Sequence, residues 1–169
     1  MISGADISTC KKYRYSLWRS WAFPKRSKYC CFIMLNPSTA DGKKDDPTIR
    51  RCVNLSKKWG YSGLFVVNLF AYRSTDSNKL KRVRDPIGDV NDIVILTVAR
   101  DAGTVVCAWG NKGVLNGRDA EVISMLYDNK IKTYALSVTK EGNPNHPLYL
   151  PNDVRPKIFK PWKPKRATK

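Results

Sequence analysis

The chain has 169 residues, of which 42% are hydrophobic and 27% are charged, a composition typical of one compact globular domain. No stretch approaches the ~18 consecutive apolar residues of a membrane helix. The first twenty residues contain Lys11, Lys12 and Arg14 where a secretory signal would have an apolar core. We therefore expect a soluble, intracellular protein without a membrane partner.

The five cysteines are odd in number and contain no C-x-x-C pair, which disfavours both a disulfide framework and a common zinc site. We expect them to be small buried side chains in a reduced protein. An iron–sulfur cluster held by four scattered cysteines is the alternative. The sequence thus predicts neither a metal nor another cofactor.

Positive charge is concentrated toward the two ends of the chain. The 31 lysines and arginines against 14 acidic residues give a net charge of +17. Residues 1–29 carry seven bases and one acid, and residues 155–169 carry seven bases and no acid. We predict a basic arm at 1–28, one domain at 29–154 and a basic tail at 155–169 whose Lys157, Lys160 and Lys163 contact phosphates. A merely solvated surface is the alternative.

The body of the chain alternates predicted strands and helices. Four apolar runs predict buried strands, at residues 29–35, 64–69, 104–109 and 132–138. Asp45 and Asp46 before Pro47 predict the start of a first helix that ends at Gly60. Asp85 and Pro86 predict the start of a second helix, and residues 119–127 predict a third. The order predicts a three-layer α/β/α fold with a central four-stranded parallel sheet.

Each predicted strand is followed by a polar loop. Ligands of open parallel sheets bind beyond the carboxyl ends of the strands, so we expect the site at that edge. The four loops contain Asn36-Pro37-Ser38, Asn68 with Phe70 and Tyr72, Trp109-Gly110, and Asn143 to Pro147 around the single histidine, His146.

In this order the loops resemble the motifs of the uracil-DNA glycosylase superfamily, over about residues 29–151. Met34-Leu35-Asn36-Pro37-Ser38 is similar to the asparagine versions of its first loop, which places Asn36 where the family orients the attacking water. Val66-Val67-Asn68-Leu69 is similar to the strand end that supplies the base-reading amide, here Asn68. Cys107-Ala108-Trp109-Gly110 and His146-Pro147-Leu148-Tyr149 are similar to the third and fourth motifs, and the histidine faces the base carbonyl in the family.

The resemblance implies that a flipped nucleotide loses its base by hydrolysis of the N-glycosidic bond. Asn36 would hold the water, and Asp41 or Asp45 would stabilise the sugar cation or take the water's proton. Asn68 would read the base edge, and His146 would donate to the developing oxyanion. Phe70 or Tyr72 would stack on the base, with Pro37, Ser38, Trp109 and Gly110 lining its site.

Contacts with DNA are expected on both sides of this site. Arg50, Arg51 and Arg73 would contact phosphates, although the exposed face of an amphipathic helix is the alternative for the first two. Leu148 and Tyr149 would fill the vacated stack as a wedge. Because Met34, Leu148 and Tyr149 depart from the family pattern, we expect a modified or mismatched pyrimidine as the base.

A second resemblance carries no function. Leu35 to Asp41 looks like the signature of a bacterial and phage domain family of unknown function, which suggests a bacterial or phage-infected cytoplasm. Two functional alternatives also stay open, namely a non-catalytic nucleic-acid-binding module on the same fold and an N-glycoside hydrolase or transferase that acts on free nucleotides. The partner expected is single- or double-stranded DNA, and the protein is expected to be a monomer.

Overall fold

The computed structural model describes residues 1–22 and 28–161, which form an α/β fold around one mixed sheet. The strands are β1 (Ile2–Ile7), β2 (Arg14–Ser20), β3 (Tyr29–Met34), β4 (Gly63–Asn68), β5 (Thr104–Cys107), β6 (Tyr134–Ala135) and β7 (Lys157–Ile158). The helices are α1 (Pro47–Lys58), α2 (Asn91–Asp101) and α3 (Arg118–Asp128). Three 3-10 helices cover Ser77–Lys81, Asn111–Gly117 and Pro147–Tyr149.

The predicted parallel strands form the centre of a larger sheet. The order is β1-β2-β4-β3-β5-β6-β7, and β4, β3, β5 and β6 are parallel neighbours. The α/β class is confirmed, but the sheet is not purely four-stranded and parallel. In the described part of the chain it has seven strands, because β2 joins β4 and β7 joins β6 in antiparallel pairs and β1 extends β2.

The first helix begins as its sequence predicts. Asp46 is the N-cap and accepts a hydrogen bond from Ile49 N at 2.9 Å, and Pro47 occupies the first turn, where its missing N–H costs nothing. The second helix begins later than predicted, at Asn91. Asp85 instead accepts hydrogen bonds from the main-chain N–H groups of residues 87 and 88, which makes a turn before the helix.

Helices cover both faces of the sheet, which gives three layers. α1 packs Ile49, Cys52 and Leu55 against the face that contains Phe32 and Val66. On the other face, α2 and α3 pack against a cluster that includes residues of β3, β4 and β5. Residues on neighbouring positions of a strand point to opposite faces, so each strand feeds both clusters.

The prediction of a basic N-terminal arm is wrong for residues 2–20, which form β1 and β2. The antiparallel register pairs Leu17 with Val66 and Arg19 with Leu64. Two of the arginines counted as arm charge, Arg14 and Arg19, are each only 2% exposed. Arg14 and Arg19 are therefore not part of an exposed arm, whereas Lys11 and Lys12 of the same segment are exposed.

The predicted C-terminal tail also begins later than residue 155. Lys157 and Ile158 pair with β6. Phe159 is buried and packs edge to face against Trp109 at a centroid distance of 6.4 Å. These residues therefore complete the sheet and the core, whereas residue 163 lies outside the described residues.

Four of the five cysteines are buried, as predicted, and Cys10 is exposed; all five are free. Burial raises the pKa of Cys30 to about 12, which keeps its thiol protonated. Within residues 1–22 and 28–161, no helix has the length and apolar composition that crossing a bilayer requires.

Candidate functional site

The four predicted loops leave the sheet at the carboxyl ends of its parallel strands, and main-chain hydrogen bonds join neighbouring loops. Leu69 N donates to Met34 O at 2.8 Å, and Gly110 N donates to Pro144 O at 2.7 Å. Because β2 runs antiparallel to β4, its first residue reaches the same edge. This edge therefore gathers side chains from five strands.

A β-bulge at the start of β2 turns Arg14 toward α1. The register between β1 and β2 shifts by one residue at Tyr15. Arg14 consequently lies on the α1 face, where its Nη1 donates to Ala40 O at 2.8 Å. Tyr15 points away from it and donates its hydroxyl to Asp89 at 2.6 Å, just before α2. The bulge thus brings a buried guanidinium to the predicted site.

Asn36 follows β3 and fixes the loop in which it lies. Its Nδ2 donates to Pro37 O at 3.0 Å and to Ser74 O at 2.9 Å. These two bonds commit the amide nitrogen and set the orientation of the side chain. The Oδ1 atom is left as an acceptor, and it makes no hydrogen bond with the described residues.

Asn68 ends β4 beside Met34 and is 1% exposed. Its main-chain oxygen accepts a hydrogen bond from Asn91 Nδ2 at 2.9 Å. Its own Nδ2 is buried and has no partner among the described residues. Because a buried donor without an acceptor is costly, this amide is a candidate for a ligand oxygen.

His146 lies in the loop after β6 and is the N-cap of the 3-10 helix Pro147–Tyr149. Its Nδ1 accepts a hydrogen bond from Leu148 N at 3.2 Å, so the neutral ring carries its proton on Nε2. Burial lowers the pKa of His146, and the carboxylate of Asp46 opposes that change. The histidine therefore presents a neutral N–H donor near the N-terminus of α1.

Arg51 of α1 holds the loop that follows His146. Its guanidinium donates to the carbonyls of Pro147, Leu150 and Pro151. These bonds commit Arg51 to the protein itself, so its predicted contact with phosphate is not available in this conformation. Its role here is to position the segment that carries His146.

Replacing Arg51 by alanine should destabilise the protein by about 2 kcal/mol, because partly buried carbonyls would lose a charged donor. The measurement is urea denaturation of the full chain. Arg50→Ala is the matched control, since Arg50 is the preceding residue and has an exposed side chain. Equal stabilities of the two variants would contradict this role for Arg51.

The two carboxylates predicted as catalytic are engaged in local structure. Asp41 accepts hydrogen bonds from Lys43 N and Lys44 N, both at 2.8 Å, and these bonds lower its pKa. Asp45 pairs with Arg19 at 2.7 Å. Both carboxylates therefore shape the segment that leads into α1.

The aromatic candidates divide by exposure. Phe70 is fully buried and Trp109 is 3% exposed, and both belong to the cluster beneath α2 and α3. Neither ring is exposed for stacking on a base in this conformation. Tyr72 is half-buried and packs edge to face against Tyr13, with ring centroids 5.9 Å apart.

The small residues predicted to line the site remain at the edge. Pro37 is buried, and its carbonyl accepts a hydrogen bond from Ser74 N at 2.9 Å as well as one from Asn36. Ser38 is half-buried. Gly110 has a φ of 69°, a conformation that favours glycine and turns the chain after β5.

The predicted nucleic-acid contacts are mostly at the surface. Arg50, Lys157 and Lys160 have exposed side chains. Tyr149 is 90% exposed beside His146, and Leu148 is half-buried. Arg73 is half-buried and donates to Lys11 O at 3.2 Å. Lys163 lies outside the described residues.

Two residues of the edge were not predicted to be functional. Arg14 was counted with a charged arm, and Asp46 was interpreted only as a helix cap. Burial lowers the pKa of both Arg14 and His146, and Asp46 opposes the change in each case, so its charge lies within reach of both side chains. The two consecutive aspartates before Pro47, Asp45 and Asp46, indicate that a carboxylate lies near the site. The sequence does not show which of the two faces it.

The fold and the edge define an α/β protein with a buried, polar cluster beyond its parallel strands. The chain belongs to the family described as "Protein of unknown function (DUF1643)", whose model matches residues 14–148. That match begins at Arg14 and ends just after His146, so it spans the whole cluster. No curated protein and no solved structure shows significant similarity to the chain.

Proposed function

We propose that the protein binds DNA and hydrolyses the N-glycosidic bond of a modified or mismatched pyrimidine that is flipped into the carboxyl edge of the sheet. The observation that carries this proposal is the state of His146, a neutral imidazole whose Nε2–H has no described partner. A neutral N–H donor of this kind stabilises a developing oxyanion by a hydrogen bond and keeps its own proton. The resemblance of the four loops to glycosylase motifs supports the same assignment.

Base release breaks the bond between the sugar C1′ and the base nitrogen, and the electron pair leaves with the base. The free Nδ2 of Asn68 and the Nε2–H of His146 would donate to the two oxygens of the departing pyrimidine. Asn68 is 1% exposed and His146 is half-buried, so the fold shields both donors from water, fully or in part, before the reaction begins.

Water completes the reaction by adding its oxygen to the sugar C1′, and the proton that it loses neutralises the base anion. Asn36 supports this step because its amide nitrogen is held by two carbonyls, which leaves Oδ1 to accept from the water. Asp46 replaces Asp41 and Asp45 as the carboxylate that would stabilise the cation, since its charge reaches His146. One oxygen of Asp46 caps α1, and the other makes no hydrogen bond with residues 1–22 or 28–161, which leaves it for this role.

DNA would approach the edge beside Tyr149, whose side chain projects from the loop of His146. An exposed aromatic ring next to the base site fits a wedge that fills the vacated stack. The net charge of +17 supports a polyanionic partner.

A second candidate is a non-catalytic nucleic-acid-binding module. The commitment of Asn36 to two backbone carbonyls favours it, because a loop-fixing asparagine needs no water. The engagement of Asp41 and Asp45 in local structure favours it as well.

The test is alkaline-cleavage gel analysis of labelled oligonucleotides that each carry one candidate base, in single and double strands. We expect strand breaks that depend on one base and that Asn68→Ala reduces by about a hundredfold, since one donor is removed. Asn129→Ala is the control, because Asn129 is an exposed amide at the end of α3.

Binding is measured on the same oligonucleotides at two salt concentrations. If affinity falls steeply with salt and no base gives strand breaks, the protein is a non-catalytic nucleic-acid-binding module and not a glycosylase. Cleavage of free nucleosides with salt-independent affinity would indicate the third class, an enzyme of free nucleotides.

A further inference from the structure

Arg14 is a buried arginine without a carboxylate. Within residues 1–22 and 28–161, three arginines are buried: Arg14, Arg19 and Arg118. Arg19 pairs with Asp45 at 2.7 Å, and Arg118 pairs with Asp92 at 2.5 Å. Arg14 makes one hydrogen bond, to a carbonyl, and its Nε is buried with no partner among these residues.

Arg73 lies beside Arg14 and is half-buried, and its Nε, like that of Arg14, is buried. The two chains run antiparallel here, since Arg14 N donates to Ala71 O and Arg73 N donates to Lys12 O. With the described residues, Arg73 makes one side-chain hydrogen bond, to a main-chain oxygen, and its Nε is buried without a partner among them. Burial lowers the pKa of Arg14, and the charge of Arg73 lowers it further.

The nearest acidic groups do not neutralise this pair. Burial lowers the pKa of Arg14 to about 10, and Asp46 and Asp41 oppose that change. Neither carboxylate forms an ion pair with Arg14 or Arg73 in the described part of the chain. Two neighbouring arginines whose Nε donors are buried without a described partner, and which form no ion pair, can take an anion supplied from outside.

We propose that Arg14 and Arg73 bind a phosphate group at the carboxyl edge of the sheet. Guanidinium forks match phosphate oxygens with paired N–H donors, and two such forks complement its charge. The pair differs from the exposed lysines and arginines of the surface because the Nε atoms of both residues are buried. Arg14 lies at the start of β2, and Arg73 lies in the loop that follows Asn68. The inference rests on the proposed function in one respect, namely that the phosphate belongs to a nucleotide.

The test measures binding to the full chain at constant ionic strength. The probes are inorganic phosphate, thymidine 5′-monophosphate, thymidine, the dinucleotide TpT and acetate. We expect the phosphate-bearing probes to bind and Arg73→Gln to weaken them about tenfold, since a charged hydrogen-bonding partner is lost. Arg84→Gln is the matched control, because Arg84 is exposed and its substitution removes the same charge. Arg14→Lys keeps the charge but loses the fork and should weaken them as well.

Either of two results would overturn the proposal. One is equal phosphate affinity of Arg73→Gln and Arg84→Gln, which decides the matter even where Arg14→Lys fails to fold. The other is binding of acetate as tight as that of phosphate. Tighter binding of the monophosphate than of TpT supports the site and assigns it to a terminal phosphate, and the reverse order assigns it to a chain phosphodiester.

These measurements separate the phosphate site from the proposed chemistry. Phosphate binding that depends on Arg73, combined with no base release from any oligonucleotide, supports the site and removes the glycosylase. If Arg73→Gln releases the base with an unchanged KM, the glycosylase proposal is supported and the phosphate-site proposal is rejected.

Discussion

Arg19→Ala should destabilise the protein by about 3 kcal/mol, the lower end of the range for breaking a buried ion pair. The Arg19 side chain is 1% exposed, and its Nε and Nη2 lie 2.8 Å and 2.7 Å from Asp45 Oδ1. It also donates to Trp18 O at 2.8 Å and to Asp41 O at 2.6 Å. The Asp45 side chain is 24% exposed, so water would relieve part of the penalty once the arginine is gone.

Urea denaturation of the full chain measures this change. Arg100→Ala is the control, because Arg100 is exposed on α2 and its one side-chain hydrogen bond is long, 3.4 Å to Asn129. We expect the control to stay within about 0.5 kcal/mol of the parent protein. A loss below 1 kcal/mol in Arg19→Ala would show that the loop before α1 does not depend on this arginine.

The parallel centre of the sheet could be predicted because its signals are local. The run of residues 29–34 is almost continuously apolar, as expected of a strand covered on both faces. Asp46 and Pro47 mark the start of α1 through capping and a fixed φ, and both depend only on neighbouring residues.

The antiparallel strands could not be predicted from such signals. β2 reads Arg-Tyr-Ser-Leu-Trp-Arg-Ser, and its two arginines are buried only because Ala40 and Asp45 come from elsewhere in the chain. Its bulge also breaks the alternation that identifies a strand. Net charge counts such residues as surface, so the segment was interpreted as an arm.

The sequence predicts that the candidate site lies at the carboxyl edge of the sheet, but it does not predict which face of the sheet each side chain points to. Residues 105, 107 and 109 of β5 and its extension alternate with 106 and 108, so the odd positions point to the α2 and α3 face. Trp109 follows that alternation into the core, although it stands at the predicted edge. Arg14 reaches the edge from a strand that runs the other way, which no loop motif indicates.

His146→Asn should reduce base release by about a hundredfold while it preserves the fold, because it removes one donor to the oxyanion. The asparagine oxygen can take the place of Nδ1 and accept the hydrogen bond from Leu148 N. It has no donor at the position of Nε2. His146→Gln is the matched variant, since its longer amide can place an N–H there, and it should retain more activity than His146→Asn.

The pH dependence of the parent protein tests the same proton. Burial lowers the pKa of His146, so the neutral ring is the resting form above that value, which lies below the usual value of about 6.5. Protonation puts a second donor on Nδ1, opposite Leu148 N–H, and removes the acceptor that caps the 3-10 helix. The rate of base release should therefore fall as the pH falls through the lowered pKa.

Two measurements decide whether this titration belongs to His146. The pH–rate profile of His146→Gln should lose the acidic limb, because the amide does not titrate. The histidine ring nitrogens, followed by NMR, should titrate at the pH where the activity of the parent protein is half lost. A glutamine variant that keeps the acidic limb would assign the titration to another group and would remove His146 as the neutral donor.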